Sequence, residues 1–114
     1  MILLISSPAI AFDSWTKTEV VMEAAYLGLL VVDWGQTLDI ADDQRYHEDV
    51  NCSLLGKRPS RGRVNAVFAI GMVAHPVIAH VLPHKWRKAW IASGITLEAA
   101  CGVNNHNLGL KVNF

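Results

Sequence analysis

The stretch VNAVFAIGMVAHPVIAHVL, Val64 to Leu82, decides the fold. Its nineteen residues carry no charge when histidine is counted as neutral. Cations crowd both ends: Lys57, Arg58, Arg61 and Arg63 precede it, and Lys85, Arg87 and Lys88 follow. At 1.5 Å per residue a helix of this length rises about 28 Å, close to the hydrocarbon thickness of a bilayer. Basic side chains at both ends and none between them match snorkelling toward two interfaces. The stretch reads as one membrane-spanning helix. Pro76 removes a backbone donor and crowds the preceding turn, which places any bend just N-terminal to it.

Working outward, the 114 residues are enough for a single domain, 1–114. Ten lysines and arginines balance ten acidic residues, so no net field draws the chain to nucleic acid. Apolar residues reach 52%, only slightly above the roughly 45–50% of soluble domains. Their distribution carries the argument, because they gather in three blocks. The expected fold is all-α: a small membrane bundle of about three transmembrane helices, at about 18–38, 64–82 and 86–103, with a polar loop between the first and second. The competing reading is a compact soluble bundle with unusually apolar helices. Residues 1–11 resemble a signal-like leader ending in Ala9-Ile10-Ala11, the small-x-small pattern of signal peptidase sites, but they lack a cationic start. Cleavage after Ala11 and a packed apolar segment are the two readings.

The first block is TKTEVVMEAAYLGLLVVDWGQTLDI, Thr16 to Ile40, with Thr16 or Thr18 as cap and Glu19 in the first turn. Glu19, Glu23, Tyr26, Leu30, Asp33 and Thr37 step by 4, 3, 4, 3 and 4, which lays them on one helical stripe. A carboxylate at the bilayer centre costs roughly 2.5–3.5 kcal/mol on insertion scales, so the stripe should turn toward protein. A solvated acidic face on a soluble helix is the alternative. In the third block Gly94, Glu98, Cys101 and Asn105 form a second small-and-polar stripe, and Asn104 to Asn107 offer a C-terminal cap. The polar interior expected from these patterns is Glu23, Asp33, Thr37, Asn65, His75, Glu98 and Asn105. Lys57, Arg58, Arg61 and Arg63 read as a basic, lipid-facing flank, worth about 1 kcal/mol per cation near anionic headgroups. Trp86, Arg87, Lys88 and Trp90 read as an interfacial anchor.

Chemistry is thinly signalled. No nucleotide-binding glycine loop, nucleophile elbow or paired-cysteine motif occurs, and no cofactor is implied. His75 and His80 lie five apart, about 140° around a helix, which suits one metal ion poorly. His80 and His84 have the better spacing of four, although Pro83 interrupts it. Three functional hypotheses follow. The first is a non-enzymatic protein that acts through helix–helix contacts, as a homo-oligomer or with a host membrane protein. The second is an intramembrane acid–base or metal-dependent hydrolase, with Asp33, Glu48, His75 and Glu98 as catalytic candidates and His80 beside them. The third is a transport or proton-relay role. The bias of Lys and Arg among the loops, together with the leader, favours an outside N-terminus and a cytoplasmic C-terminus.

DWGQTLDI (Asp33 to Ile40), LGKRPSRGRVNAVF (Leu55 to Phe68), Leu82-Pro83, Trp86-Arg87 and Glu98 together resemble a group of small helical membrane proteins of tailed phages and prophage-bearing bacteria. The resemblance covers roughly Asp33 to Gly109. Cys52 departs from it by standing where a proline would follow Asn51. It implies a multi-pass helical protein of the bacterial inner membrane. No activity follows from it; a phage lysis or exclusion role stands beside the three hypotheses above as a further alternative.

Overall fold

The computed structural model describes residues 13–42 and 60–114. The leader at 1–11, Glu48, Cys52, Lys57 and Arg58 lie outside the described residues. Within them are three helices, α1 (Lys17–Asp42), α2 (Arg61–Val81) and α3 (His84–Asn107), and no strand.

Local chemistry sets each boundary. Ahead of α1, Thr16 Oγ1 accepts from the Glu19 amide at 3.1 Å, and Glu19 Oε1 accepts from the Thr16 amide at 2.9 Å. This reciprocal capping box satisfies two donors that a helix start leaves orphaned. Ser60 caps α2 by accepting from the Arg63 amide. α2 runs unbroken through Pro76 and stops at Val81, and Pro83 then stands as the N-cap of α3. The stop of α3 differs from the asparagine cap expected from sequence. Gly109 adopts φ 89°, the Gly109 amide donates to His106 O, and the Leu110 amide donates to Asn105 O. Those two bonds make a Schellman turn, which needs a residue tolerant of left-handed backbone. Leu110 then packs on Ile40.

α1 is the central helix and packs against both others, whereas α2 and α3 touch each other little. α1 and α3 run in the same direction, since Glu19 meets Arg87 and Asp33 meets Asn105. α2 runs opposite, with Glu23 against His75 and Trp34 against Asn65. The whole acidic stripe of α1 is buried. Its apolar part joins Tyr26, Leu30, Leu38, Val64 and Phe68 in one core cluster.

The outer surface has the opposite character. Val20, Val21, Ile70, Val73, Val77, Leu97 and Val103 are each more than half exposed. Among the described residues only α2 is long and apolar enough to cross a membrane by length and composition. α1 and α3 fall short because their charges, Glu19, Glu23, Asp33, Arg87 and Glu98 among them, lower the average. Those five side chains point inward, so the average understates how apolar the outer faces of both helices are.

Candidate functional site

Three polar layers follow one another along α1, where it faces α3 and, in the first two, α2. The first centres on Arg87, which is fully buried. Its Nε donates to Ala79 O at 2.6 Å, and its Nη2 donates to Asp13 O at 2.7 Å and His80 O at 3.1 Å. Nη1 donates to Ser14 O at 3.3 Å and to Glu19 Oε1 at 3.1 Å. The guanidinium also lies 4.8 Å from the centre of the Trp15 ring. Arg87 therefore satisfies carbonyls at the C-terminal end of α2, fixes the chain entering α1 and neutralises a carboxylate that is itself fully buried. Only the five-donor fork of arginine serves so many acceptors at once. This corrects the reading of Arg87 as a lipid-interface anchor.

His75 forms the second layer. Its ring is sandwiched between Tyr26, at 3.6 Å between centroids, and Trp90, at 4.8 Å. Nδ1 donates to the Glu23 carboxylate, 2.9 Å from each oxygen. Nε2 is buried without a hydrogen-bond partner. Gly94 permits this stack, because a Cβ at that position would stand 2.7 Å from His75 Nε2 and 2.8 Å from the Tyr26 ring. Trp90 is tied in turn by Nε1 donating to His75 O at 3.1 Å.

The third layer is built on Asp33. Asp33 Oδ1 accepts from Thr37 Oγ1 at 3.3 Å, one turn on, and from Asn105 Nδ2 at 2.9 Å. Asn105 Nδ2 also donates to Gln36 Oε1 at 3.2 Å, and Gln36 Nε2 donates to Gly102 O at 3.3 Å. Glu98 comes within hydrogen-bonding reach of the Asp33 carboxyl. Glu98 Oε2 and Asn105 Oδ1 are buried without partners. Two carboxyls thus meet in the interior with no basic side chain between them. Arg87 stands eleven residues before Glu98 on α3, about 16 Å along the axis.

The expected interior residues Glu23, Asp33, Thr37, His75, Glu98 and Asn105 are all buried, in the second and third layers. Asn65 is not: it is exposed, and its Oδ1 accepts from Trp34 Nε1 at 2.9 Å. Arg61 also departs from the lipid-facing flank. It pairs with Asp42 and donates to Asn113 O at 3.2 Å, because the chain after α3 folds back across α1. There Asp39 accepts from the Lys111 amide and Gly35 O accepts from the Asn113 amide. Arg63 is exposed. His80 and His84 do not converge on a shared point: His80 Nδ1 accepts from Trp15 Nε1, and His84 Nδ1 donates to Glu19 Oε2 at 2.9 Å. No three His, Cys, Asp or Glu among the described residues come together as a metal site.

The sequence patterns alone do not place Arg87 and Gln36 in the interior, or the half-buried Trp90 against His75. For Arg87 a signal exists. Arg87, Ile91, Gly94, Glu98, Cys101 and Asn105 step by 4, 3, 4, 3 and 4, the same rhythm as the stripe on α1. No family model, curated protein or solved structure matches this chain.

Proposed function

We propose that the chain is a small multi-pass protein of the bacterial inner membrane that works through helix–helix contacts, with further copies of itself or with a host membrane complex. The observation that carries this reading is the inverted distribution of polarity. Glu19, Glu23, Asp33, Gln36, Thr37, His75, Arg87, Glu98 and Asn105 are buried, whereas large aliphatic side chains cover much of the outside of α1 and α2. The outer face of α3 between Ala89 and Val103 carries small and apolar residues without a charge. Water would reward the opposite arrangement; a hydrocarbon solvent rewards this one. α2, with both its ends flanked by cations, is the strongest single span. α1 and α3 cross beside it with Glu19, Glu23, Asp33, Arg87 and Glu98 turned inside. The resemblance to small phage and prophage membrane proteins fits this reading and suggests a lysis or exclusion setting.

Alkaline carbonate extraction of membranes from expressing cells tests it. The expected outcome is a chain retained in the pellet and released by mild detergent. Recovery as a monodisperse protein in the soluble fraction would refute membrane embedding.

The intramembrane hydrolase is the second reading, supported by the buried His75, Asp33 and Glu98. A general base must come within about 3 Å of the proton it takes. The grooves among the described residues argue against this. One of about 480 Å³ on α2 is lined by Ala69, Ile70, Val73, Ala74 and Val77. Another, of about 350 Å³ between α1 and α3, touches the polar layers through Gln36 and Gly102. A third, of about 550 Å³ on the outer face of α3, is lined by Ala92, Ser93, Thr96, Leu97 and Ala100. None of these three is lined by His75, Asp33 or Glu98.

A further inference from the structure

The Asp33 layer has a property that helix packing does not require. A buried carboxylate ordinarily meets an arginine, a lysine or several amide donors. Glu19 does, through Arg87, His84 and the Thr16 amide. Asp33 and Glu98 instead meet each other. The groups around them are the Thr37 hydroxyl, the Asn105 and Gln36 amides, the buried Cys101 on α3, and Tyr26, which lies within electrostatic range of Glu23, Asp33 and Glu98. His75 of α2 is stacked beyond Tyr26 and already engaged by Glu23. None of these supplies a positive charge to the pair.

The second observation is a count of donors, and through Asn105 it reaches beyond the acidic pair. Glu98 Oε2 and Asn105 Oδ1 are both partnerless, on side chains only 8% and 1% exposed. Both side chains touch Asp33. Buried acceptors without donors are rare in folded proteins, and each asks for a proton, a water or a cation. The atoms on offer are carboxyl and amide oxygens, hard donors that suit hard cations and disfavour soft transition metals. With only two carboxyls and one amide oxygen they are too few for the roughly six to eight oxygens that Ca2+ takes.

We propose that Asp33, Glu98 and Asn105 form a buried exchange site for one small monovalent cation, in which Na+ competes with a proton for the carboxyl pair. A single positive charge leaves two carboxyls with one residual negative charge, which the Thr37 hydroxyl and the Asn105 amide hydrogens stabilise. The site is enclosed by helices of the chain itself, so it does not depend on what surrounds the bundle. Its use would be to hold a cation that is loaded and released as the helices separate and close.

The test uses the full chain in detergent micelles and a hydrophobic carbodiimide, which reacts with protonated carboxyls in apolar surroundings. The adduct is mapped by peptide mass spectrometry. The expected label lies on Glu98 or Asp33. Its rate falls in NaCl relative to equimolar choline chloride by a factor of 1 + [Na+]/Kd, roughly tenfold when Na+ is at ten times its Kd. Glu98→Gln lowers the label while the far-ultraviolet circular dichroism stays helical. Asn105→Ala keeps the label and loses sodium protection. Equal rates in NaCl and choline chloride would mean that a proton alone occupies the pair, and would overturn the exchange. So would labelling confined to other carboxyls. If Asn105→Ala fails to fold, the sodium dependence of the unsubstituted chain still decides. Because the readout is local to the site, a failure here is separable from a failure of the carbonate extraction.

Discussion

Gly94 governs how closely α3 approaches the His75 layer. With no side chain there, the Tyr26–His75 stack sits where a methyl group would stand. Gly94→Ala must push the imidazole or the phenol aside, at a cost of about 1–3 kcal/mol for overpacking. Gly28 is the matched contrast, since a Cβ at that position meets nothing within 4 Å. There the ordinary helical advantage of alanine, roughly 0.5–1 kcal/mol, should appear undiminished. Thermal unfolding of both variants in one detergent, followed by circular dichroism, should give shifts of opposite sign. At the same scale, Thr16→Ala removes half of the capping box and should cost about 1 kcal/mol in the same assay.

At the scale of elements, Arg87 joins the end of α2 to the start of α1 from a position on α3. Arg87→Ala takes from the buried Glu19 its guanidinium partner, leaving it His84 and the Thr16 amide, and strips two carbonyls of α2. A loss of about 3 kcal/mol, at the low end for a broken buried pair, is expected. Arg87→Lys should recover little, because one ammonium cannot reach the five acceptors. The double variant Arg87→Met with Glu19→Leu should recover much of it, since an apolar pair of similar size avoids burying any charge. Chemical unfolding of the three variants ranks them; a lysine variant as stable as the parent would sink the account. This contact also marks where local pattern stops being informative. The stripes of α1 and α3 are legible in the sequence, because a 4-3 alternation of polar residues within apolar blocks has a single geometric meaning. An arginine between two tryptophans near a helix start has two meanings, and its acceptors come from three separate stretches of chain. No local spacing encodes that convergence. The return of the tail onto Gly35 and Asp39 is equally hidden, because it depends on Gly109 reversing the chain after α3. Asn65 breaks the rule that a polar residue in an apolar helix faces inward, because Trp34 reaches it from the side.

For the whole molecule, Ser60 and Lys85 stand at opposite ends of α2, one at its cap and one just past its exit. In a chain with Cys52 and Cys101 replaced, a single cysteine at Ser60 should resist an impermeant thiol reagent on intact cells. One at Lys85 should react. The reverse pattern would invert the orientation inferred from loop charges, and reaction at both sites would mean that α2 does not cross.

The pairing of Glu19 with Arg87 joins residues 68 apart in the chain. At about 5–20 residues per second, a ribosome makes that interval in roughly 3–14 s. During that time α1 exists with a buried-type carboxylate and no counterion, and Asp33 has neither Glu98 nor Asn105 beside it. Whatever solvent surrounds the nascent chain, α1 cannot complete its polar contacts before α3 exists, so its acidic stripe needs water, a proton or another shelter for that interval. On the membrane reading proposed above, α1 entering alone would carry the roughly 2.5–3.5 kcal/mol cost of each uncompensated carboxylate, which favours entry of α1 together with α3.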